Sequence, residues 1–153
     1  MSVHKLQFKQ IIAQPIEVVW QFFSNPNNLE TITPPEMGFK HTVYEDDCVY
    51  AGMIILHKVK PVLNLPINWM TEITQVNAPN LFIDEQRKGI YSFWHHQHHL
   101  ETIEGGTLMT DIVSYRLPMG VLGRIAHALF VKKQLESIFD FRYQKMKTLF
   151  GEM

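Results

Sequence analysis

YSFWHHQHHLETIEGGTLMTDIVSYRL, residues 91–117, decides the fold. Successive side chains on a strand point to opposite faces, and the histidine-rich run sorts under that rule into two rows. Trp94, His96, His98 and Leu100 form one row; His95, Gln97, His99 and Glu101 form a more polar one. The first row is expected to face inward. Gly105-Gly106 signals a hairpin. A two-residue loop there pairs Glu104 with Thr107, Leu100 with Asp111, His98 with Val113, His96 with Tyr115 and Trp94 with Leu117. Asp111, Val113 and Tyr115 then join the inner face. Thr110, Ser114 and Arg116 fall outside, as a sheet with one solvated face requires.

Working outward, Phe39 to Tyr44, Met53 to Lys60, Ile67 to Val76 and Leu81 to Gln86 read as further strands. Their separators are Glu45-Asp46-Asp47, Pro61 to Pro66, Asn77-Ala78-Pro79-Asn80 and Lys88-Gly89, and this close spacing favours an antiparallel meander. His4 to Ile12 makes a first strand. Pro15 then opens a short helix in which Ile16, Val19, Trp20 and Phe23 recur at helical spacing, until Ser24-Asn25-Pro26-Asn27-Asn28 stops it. Val121 to Phe150 has no proline, and no glycine after Gly123, so it is predicted as one helix about 45 Å long. Leu135, Ile138, Phe139, Arg142, Met146, Leu149 and Phe150 share one arc of it. Ile125 to Val131, apolar almost all round, is a candidate partner surface. The class is α+β, an antiparallel sheet whose apolar face is covered by the C-terminal helix.

With 153 residues, 46% hydrophobic and 19% charged, the chain reads as one globular domain over 1–153. Fourteen basic against fifteen acidic residues leave a net charge of -1. That supplies no field for a nucleic acid, which is not expected as a partner. Cys48 is the one cysteine, so no internal disulfide can form. No apolar run approaches the roughly 18 residues that span a bilayer, and the N-terminus lacks a signal pattern, so the expected location is cytoplasmic.

The inner face carries His96, His98, Asp111 and Tyr115, and the covering helix adds Arg142. An unpaired buried hydroxyl or imidazole costs about 1–3 kcal/mol, and an unpaired ion more, so these groups must meet one another, water or a ligand. One reading is a structural network in which Arg142 pairs with Asp111 and the histidines bond Tyr115 or backbone. The preferred reading is a mostly apolar pocket in which Trp69, Trp94, His96, His98, Asp111, Tyr115 and Arg142 contact a small molecule. The weakest is a metal on His96, His98 and Asp111 with His57 as a fourth ligand; no HExxH or cysteine pair supports it, and neither metal nor cofactor is expected. An enzyme is the alternative, with His96 or His98 as general base and Tyr115 or Arg142 stabilising an enolate. Phosphate-cradling loops, GxSxG and GxGxxG are absent.

Three sets of strings extend this reading. They are Pro15-Ile16-Glu17-Val18-Val19-Trp20-Gln21-Phe22-Phe23 with Leu29 and Thr33-Pro34; Phe82-x-Asp84-x-Gln86-x-x-Gly89-x-Tyr91-x-x-Trp94-x-His96-x-His98; and Gly106-Thr107 through Asp111, Tyr115-Arg116-Leu117-Pro118 and Phe139-x-x-Arg142. Over nearly the whole chain this resembles the START-like (SRPBCC) superfamily, which shares its helix-grip fold with the birch pollen allergen. It looks most like a bacterial single-domain subgroup. The resemblance implies a curved seven-stranded antiparallel sheet gripping the long C-terminal helix, two short helices after the first strand, and a hydrophobic cavity between sheet and helix. Relatives bind or transfer lipids, sterols, quinones and polyketides, and a minority are cyclases or dehydratases. No catalytic set is carried over. The expected partner is a small hydrophobic molecule with a polar or anionic group, anchored by Arg142.

Overall fold

The computed structural model describes residues 3–41, 44–62, 65–126 and 130–151. Strand β1 (His4–Ile12) is followed by helix α1 (Ile16–Phe23) and by strands β2 (Lys40–His41), β3 (Ile54–Val62), β4 (Leu65–Asn77), β5 (Leu81–Lys88), β6 (Phe93–Ile103) and β7 (Gly106–Arg116). Helices α2 (Gly120–Ala126) and α3 (Lys132–Phe150) complete the order. All neighbouring strands run antiparallel, in the order β1-β7-β6-β5-β4-β3-β2. The meander from β2 to β7 explains this order, and β7 ends beside β1.

Six of these strands are long. Among the described residues, the run expected from Phe39 to Tyr44 contributes Lys40 and His41, paired with Lys58 and His57; Thr42 and Val43 lie outside the described residues. Two short helices were expected after β1, but α1 is the one α-helix there. Pro26–Asn28 and Pro35–Met37 form single 3-10 turns instead. Each begins on a proline, which fixes φ without supplying an N–H, and Asn25 caps the first by accepting from the Asn27 amide at 2.9 Å. The separator expected from Pro61 to Pro66 is shorter as well, since Val62 already pairs with Leu65.

The β6–β7 hairpin corrects the expected partners by two residues. Ile103 pairs with Gly106, His98 with Asp111, His96 with Val113 and Trp94 with Tyr115. The loop is Glu104-Gly105, with Gly105 at φ 83. Gly106 is needed elsewhere, because a Cβ there would run into the carbonyl oxygen of Ile12 on β1. A shift of two preserves side-chain parity, so the inner and outer rows stay as read.

Register shifts between Val59 and Val62, Met70 and Thr71, and Ile73 and Gln75 mark bulges, which bend the strands carrying them. Helix α3 lies across the sheet. Leu135, Phe139 and Met146 are buried, and the Phe139 ring stacks on Phe8 at 4.0 Å. The single helix expected over Val121 to Phe150 is described as α2 and α3, with His127 to Leu129 outside the described residues. Among the described residues no helix is long and apolar enough to cross a membrane.

Candidate functional site

Alternation on β6 divides its histidines in pairs. His95 and His99 point outward, where His95 Nδ1 lies 2.8 Å from Glu85 Oε1 and His99 Nε2 lies 2.9 Å from Gln97 Oε1. His96 and His98 point inward and are buried. Their flanking strands each bring a carboxylate: Asp84 on β5 sits opposite His96, and Asp111 on β7 sits opposite His98.

The four side chains form a closed box. His96 Nε2 lies 2.8 Å from Asp111 Oδ1 and His96 Nδ1 lies 3.3 Å from Asp84 Oδ2. His98 Nε2 lies 2.8 Å from that same Asp84 oxygen. His98 Nδ1 stands 3.0 Å from Asp111 Oδ1, out of line for a hydrogen bond. The two imidazole centroids are 3.8 Å apart, and Phe82 stacks on His98 at 4.0 Å. Trp94 Nε1 donates to the other Asp84 oxygen at 3.3 Å. Arg142, three residues beyond Phe139 on α3, brings Nη1 to 3.7 Å from Asp111 Oδ1.

Burial pushes both aspartates up, but the neighbouring imidazoles outweigh it through hydrogen bonds and charge, and both carboxyls are held well below the usual range. Burial alone would lower His96; the charge of Asp84 and the hydrogen bond to Asp111 raise it to about 9. At neutral pH the box therefore holds two carboxylates and an imidazolium at His96.

A cavity of about 190 Å³ lies between the sheet and α3. Phe23, Ile32, Val49, Ile55, Ile73 and Phe82 make its apolar part, and Trp69, Tyr91 and Trp94 its aromatic wall. Asp84, His96, His98 and Arg142 form the polar end. Of the expected contact residues, Trp69, Trp94, His96, His98 and Arg142 line this space. Asp111 and Tyr115 do not. Asp111 sits behind the histidines, and Tyr115 is fully buried among His4, Tyr91 and Trp94. The histidines meet aspartates rather than Tyr115. Sequence reasoning missed Asp84, although its signal was available: Phe82 and Asp84 share one face of β5. His57 also lines the cavity. In the expected partner surface, Ile125 and Phe130 are exposed and Val131 is buried.

No family model matches the sequence, and no curated protein does. Solved structures match across nearly its whole length. Protein CV1439 from Chromobacterium violaceum is 14% identical with a TM-score of 0.72, covering 97% of this chain and 98% of that one. Major latex-like protein 151 from Panax ginseng is 13% identical with a TM-score of 0.70, covering 97% of each. Ara h 8.0201 is 12% identical with a TM-score of 0.62, covering 96% of this chain and 99% of that one. The fold is the helix-grip fold. In this helix-grip arrangement a bent sheet and one helix enclose space that neither fills, and here the box of two aspartates and two histidines stands at its polar end.

Proposed function

We propose that the chain acts as a single ligand-binding domain whose cavity takes a small, mostly apolar molecule carrying one anionic or hydrogen-bond-accepting group. Arg142 carries this reading. Its side chain is 12% exposed and lines the cavity; Nη1 pairs with Asp111 Oδ1 only at 3.7 Å, and neither Nε nor Nη1 has a hydrogen-bond partner among the described residues. A buried donor left unmet costs about 1–3 kcal/mol, so an acceptor entering the cavity is favoured there. The apolar lining supplies the rest of the affinity. An engineered cavity of about 150 Å³ holds benzene, whereas drug-sized pockets run to about 300–1,000 Å³, so the size favours a guest of about one ring. Structures of this fold suggest ligand binding in general.

Native mass spectrometry and organic extraction of the purified protein test for a resident molecule, and titration with benzoate, 2-naphthoate and naphthalene tests the anchor. Arg142→Leu should weaken the carboxylates by about 10- to 100-fold while naphthalene affinity holds, matching a charge-assisted hydrogen bond of about 1.5–3 kcal/mol. Absence of binding by the whole panel, together with a ligand-free extract, would sink the reading. For an enzyme of cyclase or dehydratase type, His96 and His98 both line the cavity as candidate bases, and Arg142 would stabilise the enolate because Tyr115 lies outside the lining.

A further inference from the structure

We propose that Asp84, His96 and His98 form a site for one divalent transition-metal ion, open to the cavity. Each residue offers one ligand atom, and those atoms lie within 4.8 Å of one another. Small side-chain adjustments bring such a set to the bond lengths of about 2.0–2.2 Å that nitrogen and carboxylate ligands make. His96 and His98 share a strand face, so their rings project together, and one nitrogen of each converges on the same oxygen. His96 Nδ1 is 3.3 Å and His98 Nε2 is 2.8 Å from Asp84 Oδ2.

The far side of the box supports the assignment. His96 Nε2 and His98 Nδ1 are 2.8 and 3.0 Å from a single oxygen, Asp111 Oδ1. A carboxylate behind a metal-binding imidazole holds the ring and fixes which nitrogen keeps the proton. Asp111 does this for His96 through the 2.8 Å hydrogen bond and stands beside His98 Nδ1 without one, and Trp94 Nε1 steadies the remaining oxygen of Asp84. The three ligands line the cavity whereas Asp111 does not, so the free coordination positions face the apolar space. The sequence reading grouped the histidines with Asp111 and His57; the geometry moves Asp111 behind them and puts Asp84 in its place. Two imidazoles and one carboxylate suit zinc, cobalt or ferrous iron, and the ion binds by displacing the proton that His96 otherwise holds. The site does not depend on an organic guest, since an ion can bind whether or not the cavity holds one.

Titration of the chelator-treated wild-type protein with Co(II) should give a one-to-one complex with visible absorption, and Zn(II) should displace it. Crystals grown with Zn(II) should show an anomalous peak about 2.0–2.2 Å from Asp84, His96 and His98. His98→Gln should abolish tight binding, and Asp111→Asn should weaken it about 10- to 100-fold, with circular dichroism confirming that each variant is folded. Failure of the wild type to take up either ion stoichiometrically overturns the proposal, as does a peak at the outward histidines, His95 and His99. These wild-type arms decide the matter whether or not a variant folds.

Discussion

Tyr91 and Tyr115 sit in one buried cluster, 5.7 Å apart by ring centroid. Burial, with some repulsion from Glu136, pushes the Tyr115 hydroxyl up to about 12, against an ordinary value of 10.0. Burial and the neighbouring Tyr115 raise Tyr91 as well. Between these limits the unfolded chain gives up phenolic protons that the folded chain keeps. Stability is therefore whole below about pH 10 and declines as pH climbs through 12. Of the five tyrosines, these two should ionise late in a phenolate absorbance titration and show their change together with loss of near-ultraviolet circular dichroism; early, independent ionisation of both would contradict this. Single residues also show what the sequence made legible. The inward direction of His96 and His98 followed from parity alone, which needs no partner strand. Asp84 carried a local signal in the face of β5 it shares with Phe82, but its place opposite His96 depends on how β5 meets β6, and the exclusion of Tyr115 from the lining depends on how α3 meets the sheet, which no local pattern encodes.

At the scale of elements, the β6–β7 turn separates two reasons for glycine that the sequence displays identically. Gly105 supplies a left-handed conformation at φ 83, which costs an L-residue about 1–2 kcal/mol. Gly106 supplies clearance for the β1 backbone at Ile12 and Ala13, and backbone cannot step aside as a flexible side chain can. Gly106→Ala is therefore expected to destabilise more than Gly105→Ala, as seen in urea midpoints, and the reverse order would show that the turn governs the hairpin. Reading both glycines as loop put the partners two residues out, yet parity survived and the inner face with it. The same limit applies to β2. An extended-looking run such as Phe39 to Tyr44 shows strand propensity, but that Lys40 and His41 pair with Lys58 and His57 depends on the edge they meet.

For the whole molecule, the decisive feature is that two apolar clusters pack around a space rather than into it. One gathers Ile12, Trp20, Ile73, Leu100 and Met146, and the other Val113, Tyr115, Leu135 and Phe139. Cavity wall is drawn from both, so an occupant ties them together. A guest present at about a hundred times its Kd adds about 2.7 kcal/mol to stability. For a chain of this size that raises Tm by roughly 5–10 °C, and differential scanning calorimetry reads it directly. A true ligand giving no rise at that saturation would mean that it binds outside the space between sheet and helix. Of the three tryptophans, Trp69 and Trp94 look into that space, while Trp20 lies outside its lining. The molecule thus carries its own optical gauge: indole emission should change as the chamber fills, and a chemical library could be screened in a fluorimeter with no dye or label attached.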